Sequence, residues 1–262
     1  GVGRIDFQKL PLYKSKQKSE NYNITLGQRL HSAQVQFMPN LNHKNDAIRK
    51  VMQNKKFRIA LSHAIDRNEI NQTLYFGLAE PSQITVHPAH PNYKDSHQKY
   101  LEYDPEKARK LLDEIGVVDK DGDGNRELPN GEQLNLMIEA PNYRPAVSKV
   151  CQMTTEDWGK VGLSIDFKMI DWNLWDTRTR NGKFDITLSA LDKSGPLSFP
   201  GVQARSNAWV PTMVFPWSGA QWVSWSRWNQ TDGEEGIEPP QDIKNLIKWY
   251  NQASITTDDA KR

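Results

Sequence analysis

The chain of 262 residues carries 34 basic and 32 acidic side chains, so its formal net charge is only +2. Such an even balance gives no support for a polyanionic partner such as nucleic acid. The mean hydropathy is −0.76, and no apolar run approaches the roughly 18 residues of a membrane span, which excludes a transmembrane helix from this sequence.

The two ends of the sequence and its cysteine content bear on its origin. Residues Gly1–Asp6 have neither the charged nor the apolar part of a signal peptide. Residues Asp258–Arg262 fall inside a predicted helix. We therefore expect a piece of a longer precursor, so missing targeting signals say nothing about location. The single Cys151 excludes an internal disulfide and indicates no redox compartment.

The first predicted elements are a strand and a helical region. Polar and apolar residues alternate over residues 31–40, which predicts a strand. The stretch Asn54–Leu74 has the strongest helical pattern in the chain. Its first half places four apolar residues on one helix face. These residues are Phe57, Ala60, Leu61 and Ala64.

A second helix is predicted to begin inside this region, at Arg67. Asp66 occupies the N-cap position and Glu69 follows three residues later, as in a capping box. Gly77 suits the position just beyond the helix, and Pro81 stops any continuation.

Residues 80–100 form a predicted long loop rich in proline and histidine. His87, His90 and His97 lie close together in the sequence, so a metal site has to be considered. Their spacing, among prolines and without cysteine or an acidic partner, suits a closed metal site poorly. We interpret them as ordinary loop histidines, with metal binding as the alternative.

The next predicted helix starts with Asp104 as N-cap and Pro105 at the first position. Its apolar residues recur on one face, and Gly116 is predicted to end it. That face consists of Ala108, Leu111, Leu112 and Ile115.

The loop that follows resembles the first half of an EF-hand calcium loop, with acids at positions 1, 3 and 5 and Gly124 at position 6. Its twelfth position is Asn130, where a bidentate Glu is needed, and a strand follows in place of a helix. We favour a solvated hairpin-like connection and keep calcium as the one candidate cofactor. The candidate calcium ligands are Asp119, Asp121, Asp123 and Asn125.

Strands and helices then alternate along the chain, which indicates an α/β domain. Strands are predicted over residues 134–138, 163–170 and 184–189, and helices over residues 145–161 and 172–181. The shorter helix is predicted to turn Leu174 and Trp175 inward.

After residue 190 the periodic pattern gives way to a proline-punctuated aromatic segment. Six of the nine tryptophans fall here or in the final helix: Trp209, Trp217, Trp222, Trp225, Trp228 and Trp249. A long irregular stretch in a compact domain is typically functional or disordered, and so many tryptophans argue against disorder. For any one tryptophan, a place in the core is the plain alternative. An amphipathic helix around Ile243 to Tyr250 follows.

No catalytic motif accompanies these elements. The sequence lacks the nucleophile-elbow, phosphate-loop, zinc-protease, dinucleotide and CxxC patterns. Cys151 has no histidine near it in the sequence and lies on an apolar helix face, so a catalytic thiol is not expected. A pair of acids could serve glycoside hydrolysis, but nothing in the sequence selects one.

Five segments, in order, resemble the oligopeptide-type extracellular solute-binding family of ABC importers. The densest is Phe57–Ile70, which is similar to the family hallmark F/V-R-x-A-L-x-x-A-I-D-R-x-x-I. Its apolar residues are helix core and Asp66 is a cap, so the hallmark identifies the family without marking a ligand site. The other four segments are Gly77–Pro81, Tyr103–Leu112, Asp121–Gly131 and Asn181–Ile186.

The resemblance implies an α/β fold, with a mixed sheet flanked by helices forming one periplasmic-binding-protein-like lobe. It further implies a fragment of a two-lobed protein that closes around its ligand at a hinge. Residues 1–55 would belong to the first lobe, and residues 56–262 to a second lobe truncated at its end.

By the same resemblance, ligand contacts from this lobe fall within residues 194–228. The candidate ligand-binding residues are Asn207, Trp209, Trp217 and Trp222. Peptide-binding members often hold the ligand α-amino group with an Asp in this segment, but none lies between Asp192 and Asp232 here. Tryptophan faces with amide partners also suit sugars, so both ligand classes are kept.

The sequence therefore predicts a monomeric substrate-binding component of an ABC importer, without enzyme activity. It would capture oligopeptides or oligosaccharides in the periplasm or at the extracellular face of the membrane, with or without a lipid anchor, and deliver them to permease subunits. The alternatives are a carbohydrate-active enzyme with an aromatic cleft, and a family relative acting as a peptide receptor or chaperone-like binder.

Overall fold

The structure is a computed structural model that describes residues 7–27, 35–83, 93–95, 98–142, 145–189, 210–214 and 219–256. A four-stranded sheet organises these residues. Its strands are β1 (Gln36–Pro39), β2 (Asn135–Pro141), β3 (Ser164–Ile170) and β4 (Ile186–Ser189). The helices of the described residues are α1 (Leu10–Lys16), α2 (Asp46–Gln53), α3 (Lys55–His63), α4 (Arg67–Tyr75), α5 (Pro105–Asp113), α6 (Pro145–Gly159), α7 (Trp172–Arg180), α8 (Val223–Gln230) and α9 (Gln241–Ile255), with short 3-10 helices before α1 and α8.

The sheet is mixed, as the sequence predicts. The strand order is β1-β4-β2-β3, with β2 parallel to both β3 and β4. The edge strand β1 runs antiparallel to β4, with Gln36 opposite Ser189 and Pro39 opposite Ile186. A helix separates β2 from β3 and another separates β3 from β4, because a connection between parallel strands of one sheet has to cross over the sheet.

The core lies on one face of this sheet. Leu136, Ile138 and Ala140 alternate along β2 and are all buried in the same cluster as Ile165 and Ile186 of the neighbouring strands. Helix α6 covers this face. The five residues that the sequence places on its apolar side are all buried: Val147, Val150, Cys151, Thr154 and Trp158.

Helices α3 and α5 complete the core, and hydrogen bonds connect α3 and the start of α4 to α6. The buried Trp158 of α6 donates its indole N–H to the Leu61 carbonyl of α3 at 2.9 Å. The Asp157 carboxylate, also on α6, accepts the backbone N–H of Asp66 at 2.8 Å. The family-hallmark helices thus pack against the α/β layer, which agrees with a scaffold role.

The predicted helix starts are confirmed. Asp66 accepts the backbone N–H of Glu69 at 2.8 Å, and Asp104 accepts that of Lys107 at 2.9 Å. The end of α4 differs from the prediction in one respect. Phe76 takes the left-handed conformation (φ 56°) at its C-cap, and Gly77 continues it at φ 71°. A phenylalanine holds this position, which glycine favours, while its ring stacks on Phe7 at 6.0 Å.

One predicted core residue is wrong. Trp175 of α7 is buried, but Leu174 is 50% exposed. Helix α7 spans only 9 residues and buries Trp175 and Thr179, four positions apart on one side, whereas Leu174 lies outside that buried pair.

The predicted lobe boundary at residue 55 stays a prediction. In the structure, β1 shares the sheet with the later strands, and Val51 and Met52 of α2 belong to the main core cluster. None of the described helices is long and apolar enough to cross a membrane.

Candidate functional site

The carboxyl ends of the parallel strands β2, β3 and β4 lie along one edge of the sheet. The helix after β2 returns over the core face, since α6 contributes to the core cluster. The helix after β3 returns over the other face, because Trp175 of α7 bonds to Thr187, which alternates with the core residues of β4. Where successive helices take opposite faces, an open α/β sheet leaves a crevice outside its carboxyl edge, and ligands bind there.

Three described side chains stand at this edge. Asn142 follows β2 and is exposed, and its backbone N–H donates to the Ile170 carbonyl at 2.9 Å. Asp171 and Trp172 follow β3; the carboxylate is exposed and the indole is half-buried, 5.1 Å from the ring of Trp175. An amide, a carboxylate and an aromatic ring therefore lie at the crevice.

Asp171 is also the N-cap residue of α7. Its Oδ1 accepts the backbone N–H groups of Asn173 at 2.8 Å and Leu174 at 3.2 Å, which caps α7. Sequence reasoning did not select Asp171 and Trp172, because the order of elements along the chain does not show which loops share an edge. The signal that identifies them is the strand order.

A polar network beneath α7 fixes this helix, which begins at Trp172 directly after Asp171. Both oxygens of the buried Glu139 accept hydrogen bonds from Arg178 at 2.6 Å, and Lys168 contacts the same carboxylate at 2.8 Å. The Glu139 carboxylate raises the pKa of the Arg178 guanidinium above its ordinary value through these hydrogen bonds.

The same network continues into the sheet. The Trp175 indole N–H donates to the Thr187 hydroxyl at 2.8 Å, and that hydroxyl donates to the Glu139 carbonyl at 3.0 Å. Helix α7 is therefore held to β2 and β4 by buried bonds.

The structure describes one of the four predicted ligand residues. Trp222 is half-buried and occupies the N-cap position of α8. Asn207, Trp209 and Trp217 lie outside the described residues. The chain leaves β4 at Ser189, on the carboxyl edge, before it enters the segment that contains them.

The other late tryptophans divide between core and surface. Trp225 is buried within α8, which is the plain alternative that the sequence left open. Trp228 is half-buried with the Lys244 ammonium 5.4 Å above its ring, and Trp249 on α9 is 60% exposed.

Side chains of the loop between β1 and α2 bond to the residues that directly precede β4. The Asn40 side-chain amide donates to the carbonyls of Gly182 at 3.0 Å and Phe184 at 2.9 Å. His43 Nε2 lies 2.9 Å from the Asp185 carboxylate, whose second oxygen accepts the Met137 backbone N–H at 2.9 Å. Because His43 Nδ1 accepts the Asn45 backbone N–H at 3.1 Å, the proton is assigned to Nε2.

The predicted calcium loop brings four carboxylates together, with ligand oxygens within 4.8 Å of one another. They belong to Asp119, Asp121, Asp123 and Glu127. All-oxygen donor sets suit Ca²⁺, so the residues fit such an ion. Asn125 donates its backbone N–H to Asp123 at 2.7 Å.

This loop precedes β2 and its Arg126 bonds to Val161 and Gly162 just before β3, so it lies at the amino edge of the sheet. An ion there would be remote from the carboxyl edge and would stabilise a connection, without contacting a ligand. Calcium binding stays a prediction.

Cys151 is fully buried in α6, and desolvation raises the pKa of its thiol to about 12. The thiol is therefore protonated near neutral pH, which removes the thiolate that nucleophilic chemistry would need.

Comparison with known proteins agrees with this architecture. Residues 2–204 match the family described as bacterial extracellular solute-binding proteins, family 5 Middle. The dipeptide-binding protein of Escherichia coli (strain K12) is 24% identical over 217 residues, which cover 80% of this chain and 37% of that protein.

Two solved structures are similar over most of the chain. The oligopeptide-binding protein OppA is 29% identical, with a TM-score of 0.77, and the match covers 96% of this chain and 40% of OppA. A periplasmic oligopeptide-binding protein of Thermotoga maritima, solved with bound mannohexaose, is 25% identical, with a TM-score of 0.59, over 88% of this chain and 40% of that one. The chain thus spans well under half the length of these relatives.

Proposed function

Because the chain belongs to the family 5 bacterial extracellular solute-binding proteins, we propose that it is part of the ligand-capturing component of an ABC importer. The observation that carries this proposal is the family match over residues 2–204, together with the fold shared with OppA. Absence of catalysis is part of the proposal, and the family description as binding proteins supports it; the burial of Cys151 disfavours that thiol alone as a nucleophile.

The proposed ligand is an oligopeptide or an oligosaccharide. The Trp172 indole and the Asn142 amide at the carboxyl edge suit sugars, and one similar structure holds mannohexaose. The exposed carboxylate of Asp171 at the same edge supports the peptide class, since it could hold a ligand α-amino group. The candidate contacts at this edge are Trp172 and Asp171 among the described residues, and Asn207, Trp209 and Trp217 from the sequence. The sequence also predicts Trp222, which lies at the amino edge of the sheet, beside the β1–α2 loop.

The proposed setting is outside the cytoplasm, as the family description indicates, where the protein would deliver its ligand to membrane permease subunits. We propose that it acts as a monomer; light scattering of the full-length protein at working concentration checks this. The proposal holds with or without a lipid anchor. Mass spectrometry of the protein from its native membrane would detect an attached acyl chain.

Ligand screening of the full-length protein tests the function. Thermal shift and calorimetry would be run against dipeptides, a nonapeptide, stachyose and mannohexaose, with product analysis of every incubation. We expect saturable binding of one class without turnover. Cleaved product would overturn the proposal in favour of a carbohydrate-active enzyme or a peptidase.

Point variants test the site. We expect Trp172→Ala to weaken binding of the ligand found in that screen by about tenfold, as loss of one stacking surface does. Trp249→Ala is the matched control, because Trp249 is a 60% exposed tryptophan on α9. Equal affinity in wild type and Trp172→Ala would remove Trp172 from the site.

A further inference from the structure

The indole ring of Trp172 packs on a second ring that is fixed to the sheet. Trp172 and Trp175 are three positions apart in α7 and therefore lie on the same side of the helix. Their ring centroids are 5.1 Å apart, with the ring planes at 43°. Trp175 is 1% exposed, whereas Trp172 is half-buried and stands one turn nearer the carboxyl edge, where α7 begins.

A buried chain of two hydrogen bonds holds the ring of Trp175. Its indole nitrogen can only donate, so the Thr187 hydroxyl oxygen accepts that bond, at 2.8 Å. The hydroxyl uses its own proton to donate to the Glu139 carbonyl at 3.0 Å. Thr187 is fully buried and lies opposite Glu139 in the register of β4 with β2. A rotated Trp175 ring would lose this acceptor inside the protein, which is unfavourable.

We propose that Thr187 is a positioning residue of the ligand site. Its hydroxyl holds the Trp175 ring, and the Trp175 ring in turn determines how the Trp172 indole packs at the carboxyl edge. An aromatic surface that is already held in one orientation loses less conformational entropy when a ligand stacks on it. This inference rests on the proposed function, in which Trp172 contacts the ligand.

The hydroxyl of Thr187 carries the effect. Valine has nearly the same branched shape and suits a strand, so Thr187→Val removes the hydroxyl and leaves the Trp175 N–H buried without its acceptor. Serine keeps the hydroxyl, so Thr187→Ser is the conservative variant that should restore what Thr187→Val loses. If Thr187→Val does not fold, Trp175→Phe takes its place, because it keeps an aromatic ring and removes the same hydrogen bond.

Trp158 offers a matched control on the other face of the sheet. Its indole N–H also makes a buried hydrogen bond, to the Leu61 carbonyl at 2.9 Å, and its side chain is 1% exposed. Trp158→Phe removes the same kind of bond from α6, which packs on the core face. A general loss of stability from one missing indole bond is thus separated from a change in the position of Trp172.

Fluorine NMR of the full-length protein, labelled with fluorinated tryptophan, tests the positioning without any ligand. The Trp172 resonance is identified as the one that disappears in Trp172→Phe. We expect Thr187→Val to shift or broaden this resonance, since the ring beneath it changes orientation, and Thr187→Ser to return it to its wild-type position. Trp158→Phe should leave it in place while lowering the melting temperature. An unchanged Trp172 resonance in Thr187→Val would overturn the inference.

Affinity measurements then connect the ring to binding, with mannohexaose and a nonapeptide as probes. We expect Thr187→Val to weaken binding about fivefold, Thr187→Ser to restore it, and Trp158→Phe to leave it unchanged. If Trp172→Ala leaves affinity for both probes unchanged, the proposed site fails, and the fluorine spectra still decide whether Thr187 fixes the ring. A shifted Trp172 resonance with unaltered affinity in Thr187→Val, while Trp172→Ala loses affinity, would overturn the positioning role.

Discussion

At the scale of single residues, Glu139 organises the face of the sheet under α7. Its side chain is 5% exposed and contacts both Arg178 and Lys168, which are 34% and 46% exposed. One buried carboxylate therefore neutralises two cations that retain access to water. Removing the partner of a buried charge lowers the stability of a protein. Without the Glu139 carboxylate, Arg178 and Lys168 would lose their shared anion.

We expect Glu139→Gln to lower the free energy of unfolding by about 2 kcal/mol, because Arg178 and Lys168 lose their shared anion while water screens part of the loss. Urea denaturation of the full-length protein measures it. Asp176→Asn is the control: it breaks the exposed Arg180–Asp176 pair on the same helix and should cost no more than about 0.5 kcal/mol. Equal losses in the two variants would contradict the role given to Glu139.

At the scale of elements, the sequence predicts those features that depend on residues close together in the chain. The caps at Asp66 and Asp104, the buried face of α6 and the alternating strands follow from residues close together in the chain. What joins distant segments could not be predicted. The Asn42 Oδ1 atom accepts the backbone N–H of Ser224 in α8, 182 residues away, and the grouping of Asp171 with Asn142 needs the strand order.

The turn between α8 and α9 depends on Gly236. Its φ is +91°, and a Cβ atom there would overlap the Ser224 carbonyl oxygen and the Trp228 backbone nitrogen of α8. We expect Gly236→Ala to destabilise the protein by more than about 2 kcal/mol, since backbone atoms cannot give way as a side chain can.

Gly182→Ala separates conformational strain from overlap. Gly182 also has positive φ, +63°, but a Cβ atom there meets nothing within 4 Å. We therefore expect Gly182→Ala to lower the free energy of unfolding by only about 1 kcal/mol, from the strain of the left-handed conformation. Thermal denaturation of both variants should rank Gly236→Ala clearly below Gly182→Ala; the reverse order would refute the packing argument.

The acidic loop before β2 gives a second test at this scale. If the four carboxylates bind calcium, saturating Ca²⁺ should raise the melting temperature of the full-length protein by a few degrees, because an ion bound only by the folded state stabilises it. Asp121→Asn should abolish the rise, and Glu132→Gln, an exposed acid in the same connection, should keep it. An unchanged melting temperature on adding Ca²⁺ or a chelator would remove calcium from this loop.

At the scale of the whole molecule, the family identity was available from the sequence and the ligand was not. The hallmark Phe57–Ile70 is a scaffold: Phe57, Ala60 and Leu61 are buried in the core. Ligand choice depends on a crevice whose walls come from separate segments. The described residues supply only one edge of it.

The final prediction concerns how much of the binding activity resides in this chain. The chain covers 37% of the E. coli dipeptide-binding protein and 40% of OppA, so the full-length protein would supply most of the surface that encloses a ligand. A site that encloses a ligand buries most of the ligand's surface. A single wall of such a site buries much less of it and binds more weakly.

We therefore expect the 262-residue chain alone to bind the full-length protein's ligand at least about 100-fold more weakly, by calorimetry under matched conditions. Circular dichroism of the isolated chain is the control that it remains folded. Trp172→Ala should weaken both forms by the same factor if the carboxyl edge is a true wall of the site. Equal affinity of the chain and the full-length protein would place the complete site within these residues and refute the two-walled cleft.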